Sequence, residues 1–77
     1  MSIRLQSADI ISLVILDVES AADFDGLRNN EIFARGAVYA LHASGEIERN
    51  QYKKAIEHLA TQAKSRRREL LGGLING

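Results

Sequence analysis

Three adjacent arginines, Arg66, Arg67 and Arg68, with Lys64 just before them, are the residues of this chain best equipped for chemistry. Guanidinium groups present a fixed fork of N–H donors to carboxylates and phosphates, so the run suits docking of an acidic protein or of nucleic acid. Three cations also suit the carboxyl end of a helix, where the macrodipole is negative. Lys53 and Lys54 stand about three turns earlier on what reads as the same helix and extend the cationic series. Lys64, Arg66, Arg67 and Arg68 are therefore the candidates for partner or phosphate docking.

No other constellation promises a reaction. The chain has no cysteine, and none of Ser2, Ser7, Ser12, Ser20, Ser44 or Ser65 lies in the glycine-flanked elbow of a serine nucleophile. His42 and His58 lack a helical metal partner, because Gln62 stands four residues beyond His58 and Glu46, four beyond His42, lies past a glycine stop at Gly45. Histidines on a polar face are the simpler reading. Gly72-Gly73 lacks the Lys-Ser or Lys-Thr of a phosphate loop and reads as a helix stop. The expectation is a protein that binds rather than catalyses, with no cofactor and no metal.

The elements that carry these residues must fold with little material. At 77 residues the chain is one domain with a thin core, and without cysteine the usual remaining supplement is a second copy. Net charge is zero but polarised. Residues 1–25 hold five acids against one base, and residues 26–77 hold nine bases against five acids. Such halves can pair within the chain or between copies. The apolar run Ile10 to Leu16 is too short to span a bilayer, and its flanks are not those of a signal peptide, so a cytoplasmic protein without membrane contact is expected.

Three helices account for the hydrophobic pattern, at about 8–22, 26–44 and 48–71, followed by a flexible tail at 72–77. In the first, Ile10, Val14, Val18 and Ala21 keep helical spacing, with Ser7 as N-cap and Asp9 in the first turn. Its β-branched density also suits a buried strand, although nothing downstream offers a partner strand. The turn-rich Asp23-Phe24-Asp25-Gly26, followed by Leu27-Arg28-Asn29-Asn30, opens the second helix, with its start at Asp25 or at Asn30. Phe33, Ala37 and Leu41, with Ala34 and Val38, form its expected apolar face, and Glu31 and Arg35 an i, i+4 ion pair. Gly36 disfavours helix by about 1 kcal/mol relative to alanine and so marks a candidate close helix crossing.

Ser44-Gly45 should end the second helix with a left-handed glycine. Ile47 is placed as a staple toward Tyr52 if Glu48 is the N-cap, with Gln51 at the third helical position; glutamate is a poor N-cap, which leaves a boundary shifted by two residues open. So short a link makes helices two and three an antiparallel hairpin. Val14, Val18, Leu41, Tyr52, Ile56 and Leu59 are the expected core or dimer seam.

Within this hairpin, Ala40-Leu41, Gly45-Glu46-Ile47 and Tyr52 resemble small accessory proteins of temperate bacteriophages and prophages, over about Phe33 to Leu59. Glu48 departs from the threonine or serine cap of the commoner form. The resemblance implies a prophage-type accessory gene and no defined activity. The whole reads as an all-α dimer that binds a host or phage protein, with nucleic-acid binding through the basic end of helix three as the alternative.

Overall fold

The computed structural model describes residues 6–76. They form three α-helices, α1 (Ser7–Glu19), α2 (Phe24–Ala43) and α3 (Arg49–Asn76), and the described residues contain no strand. At 1.5 Å per residue α3 is roughly 40 Å long and acts as a spine, against which the shorter α1 and α2 both pack. The molecule measures 45 × 31 × 15 Å along its principal axes, so it is thin, and most residues lie near a surface.

The choice of helix for α1 follows from where its β-branched residues fall. Val14, Ile15 and Val18 are buried, and Ile11 packs beside them, so the apolar set repeats at three and four rather than at two. The helix begins one residue earlier than Ser7 capping implies, with Gln6 as N-cap and its backbone N–H donating to Asp9 Oδ2 at 3.3 Å. It ends at Glu19 rather than near residue 22. The Ser20 hydroxyl donates to the Leu16 carbonyl at 2.8 Å, and Ala21 turns into the core.

α2 starts at Phe24 because Asp23 caps it, accepting the Gly26 N–H at 2.7 Å. A Cβ on Gly26 would stand 3.1 Å from that carboxylate oxygen, so glycine leaves the cap its room. At the other end Gly45 takes φ 82°. The Glu46 N–H reaches the Leu41 carbonyl at 2.9 Å and the Gly45 N–H reaches His42 at 3.1 Å, which is the Schellman pattern. Ile47 is buried, and the Glu48 N–H donates to Gln51 Oε1 at 2.8 Å, which is the return arm of the capping box. Helices α2 and α3 pack closely as the hairpin requires.

The core is one cluster: Val14, Ile15, Val18 and Ala21 from α1 and its end, Leu27, Ala34 and Val38 from α2, Ile47 from the turn, and Ala55, Leu59 and Ala63 from α3. Three alanines on the two long helices let the helix axes come close with little side-chain volume between them. Among the expected core or seam residues, Val14, Val18 and Leu59 are buried inside a single copy, while Leu41, Tyr52 and Ile56 are partly buried against the same cluster. All six therefore belong to the core of one copy or border it.

Two expectations are corrected. The stop at Gly72-Gly73 does not occur, since α3 continues to Asn76; Gly77, the last residue of the expected tail, lies outside the described residues. Glycine weakens a helix without forbidding it. Here Leu70 packs on the core and, with Gly73, borders a hollow shared with Ala22, Asp23 and Phe24, so the final turns run beside the α1–α2 turn. The second correction concerns the apolar face of α2. It is centred on Leu27, Ala34 and Val38, which leaves Phe33 66% exposed on the other side.

Candidate functional site

Consecutive helical residues point about 100° apart, so a run of three arginines cannot form one cationic face. Arg66 turns inward: its Nε donates to the Ala21 carbonyl at 2.8 Å and its Nη1 lies 2.9 Å from Glu69. It ties α3 to the end of α1 and is largely unavailable to a partner. Arg67 reaches across to α2, with Nη2 3.1 Å from Glu31, and Arg35 holds the same carboxylate at 3.2 Å. Glu31 thereby bridges the two helices. Of the four docking candidates, Arg68 and Lys64, one turn apart, are exposed and have no ion pair among the described residues.

Sequence alone did not show that α2 contributes cations to the same region. Glu31, Arg35 and Arg67 are common to two adjoining hollows between α2 and α3, one bordered by Arg28 and Ile32, the other by Lys64, Arg68 and Leu71. The result is a shallow groove whose rim is basic and whose only described acids are the doubly paired Glu31 and, at one end, Asp25. The histidines are occupied elsewhere. His42 stacks on Tyr52 with ring centroids 4.8 Å apart and places Nδ1 3.4 Å from the Ile47 carbonyl, while His58 pairs with Gln62 at 3.2 Å. No group of three potential metal ligands occurs among the described residues.

A second surface lies on the outer side of α2. Ile32 is 64%, Phe33 66% and Tyr39 61% exposed, and they surround the small residues Gly36, Ala40 and Ala43. Ile32, Gly36, Tyr39 and Ala43 follow a four-three-four spacing, the period of a helix–helix seam. Gly36 was expected at a helix crossing, yet a Cβ there would meet nothing within 4 Å, so no helix of this chain crosses it. Tyr39 leans edge-on to Tyr52, centroids 6.4 Å apart, which fixes one border of the stripe.

The signal for this surface was present in the sequence but was read as one face instead of two. α2 carries apolar residues on nearly its whole circumference, more than a helix with a single covered side needs. Leu13 and Leu16 of α1, 49% and 54% exposed, are a smaller case of the same excess. No helix among the described residues is long and apolar enough to cross a membrane, so these surfaces are not parts of a transmembrane span. Comparison with protein-family models, curated proteins and solved structures gives no match for this chain.

Proposed function

We propose that the chain is a non-catalytic protein-interaction module that docks through the outer face of α2, with the adjacent basic groove selecting partners that carry acidic groups. The observation that carries this reading is the uncovered stripe Ile32, Phe33, Gly36, Tyr39 and Ala40. Burying a side chain of the size of Phe or Ile is favourable by roughly 1.5–3 kcal/mol, and a small protein that leaves three large apolar groups on one helix side has that free energy in reserve for association. Charge at the rim steers encounter and orientation, while the apolar stripe holds the complex. Together with the resemblance of the hairpin, this supports an accessory or regulatory role of prophage type, acting on a host or phage protein.

Nucleic-acid binding is the second reading, favoured by Arg28, Lys64 and Arg68, which border the groove without ion pairs among the described residues. Against it, the groove contains Glu31, and the two tyrosines that could stack on bases lie at the hairpin end, one of them already against His42. A tagged pull-down from lysate of the native host, with and without nuclease, separates the readings. Capture of a specific protein that survives nuclease and is lost in Phe33→Ser supports the docking face. Capture that disappears with nuclease, and with Arg68→Glu but not with Phe33→Ser, assigns the groove to nucleic acid and overturns the first reading.

A further inference from the structure

The docking face itself indicates what can cover it. Taking the outer side of α2 as the interaction surface, we infer that in the free protein its occupant is the same face of a second copy, the two α2 helices crossing antiparallel about a two-fold axis at Gly36, an assembly that a host or phage protein displaces when it docks. The first ground is closeness of approach. Facing backbones come near each other only where side chains are absent, and Gly36, unneeded by any contact inside the chain, supplies that point midway between the large Ile32 and the small Ala40.

The second ground is the distribution of size along the helix. Bulk lies on the amino side of Gly36 in Ile32 and Phe33, while on the carboxyl side Ala40 and Ala43 are small and Tyr39 is the one large residue. An antiparallel two-fold sets residue 36 − n against residue 36 + n of the other copy, so Ile32 meets Ala40, and Phe33 meets Tyr39. Ile32 fills the gap beside Ala40, and the rings of Phe33 and Tyr39 form an aromatic pair. A parallel pair would instead place Ile32 on Ile32 and leave a void at Ala40.

Electrostatics agree with the same arrangement. Antiparallel macrodipoles attract, and the only charged residues from Ile32 to Ala43 reduce to Arg35, whose guanidinium is turned aside onto Glu31. By the same rule Arg28 of one copy stands level with Ser44, the C-cap of the other α2, and Asp25 lies beyond that helix end. No like charge has to be buried. α2 is roughly 30 Å long. A seam of that length and one helix width falls toward the low end of specific interfaces, so dissociation in the micromolar range is expected.

The absence of cysteine makes the test clean. Gly36→Cys, Ile32→Cys and Ala40→Cys alter exposed positions only, and each variant is oxidised alone and in mixtures alongside light scattering of the unaltered full chain over a wide concentration range. The expected result is a concentration-dependent dimer in which Gly36→Cys cross-links to itself and Ile32→Cys cross-links to Ala40→Cys. Neither of the latter two should cross-link efficiently alone. Gly36→Leu should raise the dissociation constant at least about tenfold by blocking the approach while leaving monomer helicity intact.

Self-cross-linking of Ile32→Cys and of Ala40→Cys would show a parallel seam and overturn the inference. A monomer at millimolar concentration, with no cross-linked species, would overturn it as well. In that event loss of a captured protein in Phe33→Ser would show that the docking face stands and that only the second copy was wrong.

Discussion

The inner and outer sides of α2 are built from the same kinds of residue and meet different fates. On the inner side Leu27, Ala34 and Val38 are covered by α1 and α3 and are almost fully buried. On the outer side Ile32, Phe33, Tyr39 and Ala40 have equal or greater apolar area and no covering element. The difference teaches that hydrophobicity determines which residues can form a core, while the number and length of the remaining helices determine which of them do. A three-helix chain can cover one side of its middle helix, and the other side is left for association.

The comparison breaks most sharply with a charge. Val38→Asp should unfold the protein, because an unpaired carboxylate in the core has no water and no partner; circular dichroism should show loss of the helical signal. Phe33→Asp should keep full helicity and lose only association. If both variants unfold, the outer side is a structural surface and the contrast fails.

Two glycines sharpen the same contrast at intermediate size. Gly45→Ala should destabilise by about 1–2 kcal/mol, since its φ of 82° is strained for any residue with a Cβ, and urea unfolding should show the lower midpoint. Gly36→Ala should do the opposite in dilute solution, stabilising the monomer by roughly 0.5–1 kcal/mol through helix propensity, because its Cβ meets nothing. A loss of monomer stability in Gly36→Ala would mean that the outer side is packed after all.

The arginines give a comparable pair. Arg66→Ala should lower stability by about 1 kcal/mol through the lost bond to the Ala21 carbonyl, a magnitude typical of a partly exposed hydrogen bond, read from the thermal midpoint. Arg68→Ala should change stability by less than about 0.5 kcal/mol and weaken only the capture of an acidic partner. A variant replacing Arg66, Arg67 and Arg68 together therefore mixes a structural effect with a docking effect.

Much of the fold was legible in the residues because its signals are local. The left-handed Gly45, the Gln51 arm of the cap at Glu48 and the Glu31–Arg35 pair each depend on neighbours within a few positions, whereas α2 starts at Phe24, capped by Asp23, ahead of its expected start. The candidate site was less legible. Arg66 looked equivalent to Arg68 until a carbonyl 45 positions away took its Nε, and Arg28 and Arg35 joined the groove only because α2 lies beside α3. Phe33 was placed with the inner face since apolar residues on both sides of α2 blur its helical phase.

The sequence by itself determined three helices and the hairpin turn at Gly45, because propensity, capping and periodicity act over a turn or two of chain. Only the tertiary structure decided which apolar face is covered, which arginine points inward and how far α3 runs past its glycines. Those outcomes depend on the finite area that α1 and α3 can lay over α2, and on groups that are distant along the chain and adjacent in space.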